Sequence, residues 1–265
     1  MHGGKALSSG SITLLIYNMT QKETDFIFGI RPVIEAIKAG KQIDRLLVRD
    51  GLQGALYHEL IRAVRENGIS YQVVPAERLD LVTRKNHQGI IAWLSLIEFQ
   101  KISNILPLVY EKGEDPFIII LDGVSDVRNF GAIVRTAECL GSHAIIVPEK
   151  GSARITADAI KTSAGALLTF PVCREKSLVK TTEFLKESGL RVICADEKKG
   201  KKVSEASLTG PVVLIMGSED QGISRELLSL ADETVGIPMT GTIGSLNVSV
   251  ASGIFLYEIT RQRSA

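Results

Sequence analysis

Four short runs of unbroken apolar residues most constrain what this chain can fold into: Phe117–Leu121, Ala144–Val147, Val192–Ala195 and Val212–Met216. A strand buried on both faces reads this way, because neither side meets water, and such strands belong to parallel sheets covered by helices. Between the runs lie stretches of helical apolar spacing near 130–140, 178–188 and 222–230, a weaker strand at Thr234–Ile237 and a last helix over Asn247–Arg261. This alternation predicts a wound α/β domain with a mostly parallel sheet over residues 117–265. In such sheets ligands settle beyond the carboxyl ends of the strands, so the loops that follow the strands are where chemistry is sought.

The earlier part of the chain predicts a second, smaller α/β unit over residues 23–98. A helix is expected over Phe28–Ala39, closed by Gly40, then a strand at Asp44–Val48 and a helix over Ala55–Glu66, closed by Asn67 and Gly68. Strand Tyr71–Val74, a short helix after Pro75 and strand Gly89–Leu96 complete it. From Glu98 to Pro116 the apolar order fades, so 99–116 reads as a linker, and residues 1–22 read as a disordered leader.

Composition narrows the function classes. Of 265 residues, 45% are hydrophobic and 23% charged, close to the globular norms of about 45–50% and about 25%, which predicts a chain that folds unaided. The apolar runs fall far short of the roughly 18 residues of a membrane span, which points to a soluble protein. A net charge of +1 gives no overall basic signal for nucleic acid; the chain is only slightly basic before residue 113 and slightly acidic after it. Cys139, Cys173 and Cys194 are widely spaced with no Cys-x-x-Cys, which favours reduced thiols in a cytoplasmic protein. His2, His58, His87 and His143 are scattered without ligand spacing, so no metal is expected.

Three post-strand loops carry the candidate chemistry. The first runs from Asp122 through Asn129 and Gly131 into a helix whose apolar stripe, Ile133, Ala137 and Leu140, puts Arg135 on the opposite face. The second, Gly217-Ser218-Glu219-Asp220-Gln221-Gly222, sets a carboxylate between two glycines at a strand-to-helix turn, where backbone can approach a ligand closely. The third, from Ile237 through Gly241, Gly244 and Ser245 to Asn247, is dense in small and hydroxyl residues. Taken singly, each has a plainer reading: Asn129 and Asn247 as helix caps, Arg135 as a solvated charge, Glu219 as a dipole-favoured first-turn residue. Neither dinucleotide-type nor Walker-type phosphate loops occur.

Together the loops resemble the SpoU (TrmH-type) RNA ribose methyltransferases of the SPOUT superfamily. The motifs are Asn129-x-Gly131-x-x-x-Arg135, Gly217-Ser-Glu219-x-x-Gly222, and Ile237-Pro-Met239 continuing to Ser245-Leu-Asn247-Val-Ser-Val-Ala251. Asp220 stands where many relatives carry glycine. Upstream, Phe28-Gly-Ile-Arg-Pro-Val-Ile-Glu35-Ala and His87-Gln-Gly89-Ile-Ile-Ala92 resemble the small amino-terminal RNA-binding domain, related to a ribosomal protein, of the members acting on 23S rRNA.

The resemblance implies transfer of a methyl group from S-adenosylmethionine to a ribose 2′-hydroxyl, on an α/β fold whose carboxyl-terminal segment forms a deep trefoil knot. It implies a cofactor pocket at Gly217, Ile237 and Leu246, and a catalytic group of Arg135, Asn129, Glu219, Ser245 and Asn247. RNA contacts are expected at Arg31, Arg84, Lys85, His87 and Gln88, and a homodimer through the knotted region. The preferred target is a guanosine of 23S rRNA. A tRNA ribose or rRNA adenosine target, and a non-catalytic RNA-binding or ribosome-assembly factor on the same fold, stand as alternatives.

Overall fold

The computed structural model describes residues 26–196 and 200–264, and the expected leader over 1–22 lies outside the described residues. The chain divides into two compact units, with the boundary between Glu98 and Phe99.

The first unit runs β1 (Phe26–Phe28), α1 (Ile30–Lys38), β2 (Ile43–Arg49), α2 (Ala55–Glu66), β3 (Gln72–Val74), α3 (Ala76–Asp80) and β4 (Ile90–Leu94). Its sheet has the order β1-β4-β2-β3; β4 is antiparallel to both neighbours and β2 is parallel to β3. The amphipathic α1 and α2 bury Val33, Ile34, Leu60 and Val64 against Leu46, Val48, Ile90 and Ala92 of the sheet. On the other face Leu79 of α3 joins Leu47, Val74 and Ile91. Phe28, expected as a helix start, is instead strand paired with Ile91. Gly29, at φ +92°, makes the break that lets the helix begin at Ile30.

The second unit opens with α4 (Ile102–Glu111), inside the stretch expected as a linker. Its Ile102, Ile105, Leu106 and Val109 recur on one helical face and are buried in the unit's core beside Ile118, Ala144 and Cys173. Thereafter come β5 (Phe117–Asp122), α5 (Val127–Cys139), β6 (Ala144–Pro148), α6 (Ala157–Thr162), β7 (Val172–Glu175), α7 (Leu178–Glu187) and β8 (Arg191–Ala195). The chain ends with β9 (Lys201–Lys202), β10 (Val212–Gly217), α8 (Arg225–Leu228), β11 (Glu233–Gly236) and α9 (Val248–Arg263).

The seven strands pair in the order β7-β6-β5-β10-β8-β11-β9, and every pairing is parallel. The four apolar runs are its buried strands: Ile118, Ile119, Ile120, Val213, Leu214 and Ile215 are fully enclosed. The chain moves outward through β6 and β7, then crosses back to β8. The sheet therefore reverses its winding between β5 and β10, the kind of switch point beside whose carboxyl ends ligands settle. The helix expected over 222–230 shortens to the four residues of α8. No helix among the described residues is long and apolar enough to cross a membrane.

Candidate active site

The loop after β10 is a tight reversal. Ser218 and Gly222 exchange backbone hydrogen bonds of 3.3 and 2.9 Å, Gly222 has φ +67°, and the Ser218 hydroxyl accepts from the Gln221 N–H at 3.2 Å. The chain folds back so closely that a Cβ on Gly217 would lie 2.1 Å from the Gly222 carbonyl carbon and 2.3 Å from the Ile223 nitrogen. Only glycine fits there. Asp122, which pairs with Gly217 across the sheet, accepts from the Ser224 N–H at 2.8 Å and pins the far end of the loop to β5.

This pinning presents Glu219 to two other loops. Its Oε1 accepts three donors: Asn129 Nδ2 at 3.1 Å, Asn247 Nδ2 at 2.7 Å and the Val248 N–H at 3.2 Å. Asn247 Nδ2 also donates to Asn129 Oδ1 at 3.1 Å, while Asn247 Oδ1 accepts from the Ser249 N–H at 3.0 Å and the Ser249 hydroxyl at 2.5 Å. Residues 90 and 118 positions apart from Asn129 thus meet at one point. Asn247 does cap α9, as its position suggests. Asn129 does not cap α5: Asp126 does, accepting from the Arg128 and Asn129 N–H groups at 2.9 and 2.7 Å. The Asn129 side chain is thereby free to reach Glu219.

Beside this cluster lies a cavity of about 270 Å³, at the carboxyl ends of β8, β10 and β11. Gly217, Ile237, Leu246, Glu219 and Ser245 all line it, with apolar wall from Met216, Ile223, Met239 and Phe255. Ser245 takes no hydrogen bond within the Asn129–Glu219–Asn247 group. Arg135 lies apart from the cavity lining, exposed on α5, and makes no hydrogen bond or ion pair among the described residues. Gly131 serves packing: a Cβ there would meet the Ala159 carbonyl oxygen at 2.7 Å, so glycine lets α5 approach α6. No three His, Cys, Asp or Glu side chains among the described residues stand close enough to hold a metal ion. Cys173 and Cys194 are enclosed, and burial pushes both thiols up to about 12.

The five residues expected to contact RNA do not form one hydrogen-bonded cluster. Arg31 stands exposed at the start of α1, and Arg84 and Lys85 are exposed after α3. His87 Nδ1 accepts from the Gly89 N–H at 3.0 Å, which leaves the ring proton on Nε2, 3.0 Å from Asp80 Oδ1. Gln88, at φ +52°, accepts from the Ile30 N–H at 3.2 Å and so satisfies a donor at the start of α1. Sequence reasoning missed Asp122, Asp196 and Ser249. Asp122 and Asp196 end or follow apolar strands, and the carboxyl-end rule was a signal that could have found both.

A parallel sheet with a switch point, and a cavity with a polar cluster beside it at the carboxyl ends of its strands, define a wound α/β domain. Two family models match: the SpoU rRNA Methylase family over residues 116–257, and RNA 2'-O ribose methyltransferase substrate binding over residues 26–100. YacO of Bacillus subtilis (strain 168), assigned by its name to the TrmH family of tRNA/rRNA methyltransferases, is 32% identical over 243 residues, 92% of this chain and 98% of that protein. An uncharacterized tRNA/rRNA methyltransferase of Mycobacterium avium (strain 104) is 37% identical over 245 residues, 91% of this chain and 79% of that one. Among solved structures, the SpoU methyltransferase AviRb from Streptomyces viridochromogenes aligns with a TM-score of 0.57 at 26% identity, covering 94% of this chain and 93% of that chain. Its complex with the cofactor AdoMet aligns at 0.56 and 25% identity, over 97% and 98%. The chain belongs to the SpoU rRNA methylase family and is an S-adenosylmethionine-dependent RNA methyltransferase.

Proposed function

We propose that the chain methylates a ribose 2′-hydroxyl of RNA, that the acceptor is a guanosine of 23S rRNA, and that the cavity beside Glu219 is the donor site. The observation that carries this reading is the meeting of Asn129, Glu219 and Asn247, from three separate loops, beside the cavity lined by Gly217, Ile237, Leu246 and Ser245. The donor supplies a methyl group already activated on a sulfonium. What is left to the protein is to place a weakly acidic hydroxyl in line with it, and positioning of this kind is worth about 7–11 kcal/mol. Glu219, Asn129 and Asn247 hold one another in a fixed arrangement, and with Ser245 they orient the acceptor. Arg135 clamps phosphate and stabilises the developing alkoxide, the role that suits a guanidinium.

The same reading includes the trefoil knot over the carboxyl-terminal segment and a homodimer through it. Support for the dimer comes from Val250, Ile254 and Tyr257, which recur at helical spacing on α9 and are 53%, 38% and 60% exposed. Arg31, Arg84 and Lys85 of the first unit are the RNA contacts, with His87 and Gln88 shaping the backbone beside them.

Radiolabelled S-adenosylmethionine incubated with deproteinised 23S rRNA or tRNA, followed by nucleoside mapping, tests the function. Label in a single 2′-O-methylguanosine of 23S rRNA is the expected result. Label in tRNA or in adenosine overturns the target. No transfer to any RNA despite donor binding overturns the catalytic reading. Arg135→Ala abolishes transfer while donor affinity stays within about twofold, because Arg135 lies apart from the cavity lining.

A further inference from the structure

Among the described residues, the cavity lining carries three acidic side chains, Asp196, Glu219 and Asp220, and no lysine, arginine or histidine. The acid groups are not gathered as metal ligands. Nor is Glu219 used up by its neighbours: Oε1 accepts all three bonds from Asn129, Asn247 and Val248, and Oε2 accepts none from a described residue. Asp220, next to it, is exposed at the turn of the loop.

Donor and product of methyl transfer share the adenosyl and amino-acid parts. They differ in one methyl group and one unit of positive charge. A lone pair of the hydroxyl oxygen forms the O–CH3 bond as the S–CH3 bond breaks, the electron pair of the broken bond stays on sulfur, the hydroxyl proton leaves to solvent, and the cationic sulfonium becomes a neutral thioether. Apolar wall residues such as Met216, Ile223 and Phe255 have little means of telling the two molecules apart. A carboxylate has one, because its attraction for a cation acts across several ångströms in a partly desolvated cleft.

We propose that the acidic lining sorts donor from product by charge: Asp196, Glu219 and Asp220 hold the sulfonium form more tightly than S-adenosylhomocysteine, so that transfer itself weakens the grip on what is to be released. This rests on the reading that the cavity is the donor site. Asp220 and Asp196 are the specificity residues to test, since neither is part of the Asn129–Glu219–Asn247 group.

Calorimetric affinities are measured on the full chain, Asp220→Asn and Asp196→Asn for three ligands: S-adenosylmethionine, S-adenosylhomocysteine and an analogue with an amine in place of the sulfonium. Each variant is expected to weaken the donor and the amine analogue by about three- to tenfold and to leave the product within about twofold. Equal weakening of all three, or no change for the two cations, overturns the proposal. A measurement that needs no variant is salt: raising sodium chloride from about 0.05 to about 0.5 M weakens the donor and spares the product, and parallel responses overturn the idea. Wild-type binding of donor and product with equal affinity removes charge sorting alone. Failure of the wild-type chain to bind any of the three removes the donor-site reading beneath it.

Discussion

The parallel sheet ends in polar groups on both sides, and the two ends are built differently. At the carboxyl ends, Asn129 and Asn247 share one carboxylate oxygen of Glu219, whose other oxygen accepts no bond from a described residue; Glu219 and Asn247 stand exposed and Asn129 half-buried, beside a cavity. At the amino ends the groups are spent on one another. His143 Nδ1 accepts from the N–H of Phe117, the first residue of β5, at 2.9 Å, and its Nε2 donates to Glu114 Oε2 at 2.9 Å. Arg263, from the last turn of α9, lies over the Phe117 ring at 5.4 Å and donates to the carbonyls of Asp115 and Pro116. Gln262 Nε2 donates to the Ala206 carbonyl at 3.0 Å and its Oε1 accepts from the Leu208 N–H at 2.8 Å. Saturated bonds that join the chain's last helix to the entrance of its strands are a fastening. The free oxygen of Glu219, by contrast, is what the proposed function assigns to the ligand.

If that contrast is sound, substitutions at the two ends separate activity from stability. The largest effect is expected from Glu219→Ala, which removes the acceptor common to Asn129, Asn247 and Val248. Methyl transfer should fall by at least about 100-fold while stability changes by less than about 1 kcal/mol, Glu219 itself being exposed. Activity assayed beside urea unfolding checks this, and a stability loss that accounts for the lost activity would erase the distinction. Next comes Arg263→Ala. Loss of its ring contact and carbonyl bonds should cost about 1–2 kcal/mol in the same unfolding experiment, with turnover within about twofold. A large fall in turnover without unfolding would show that the amino end also serves the reaction.

The parts of this molecule that were legible in the sequence share a physical signature. Strands buried on both faces leave unbroken apolar runs, so the framework of β5, β6, β8 and β10 could be read directly, and the carboxyl-end rule then pointed to the loops that bring Asn129, Glu219 and Asn247 together. β7, Val172–Glu175, went unread because half of it is polar. α4 went unread because Pro107 interrupts its pattern, although Ile102, Ile105, Leu106 and Val109 fit a helix and belong to the second unit's core. A truncation at residue 112 would therefore strip four core side chains, and a cut before Phe99 would not. At the site, residue types were legible and their pairings were not. That Asn129 is released for Glu219 depends on Asp126 taking over the cap, a competition decided only by the folded backbone. Pattern likewise gave Arg135 its exposed face, but no pattern says how far that face lies from the cavity lining.

The smallest expected effect concerns the fastening at α9 and its response to acid. Glu258 takes Arg261 Nε and Nη2 at 2.9 and 2.7 Å and Gln262 Nε2 at 2.8 Å, and these donors pull its carboxyl from the ordinary 4.5 down to about 2. A carboxyl whose pKa is lowered by folding stabilises the protein above its unfolded value, and that contribution fades as pH falls through the folded one. The window is therefore pH 4.5 to about 2. Because Arg261 is half exposed, screening trims the contribution to about 1 kcal/mol. Urea unfolding across this window should show Glu258→Gln losing less stability than the wild type, and added salt should shrink the difference. Methyl transfer at neutral pH should be the same for both chains, since Glu258 holds Gln262 in its bond to the Ala206 carbonyl and takes no part in the cavity lining. A Glu258→Gln chain that keeps the wild-type acid response but loses turnover would reverse the roles assigned to the two ends.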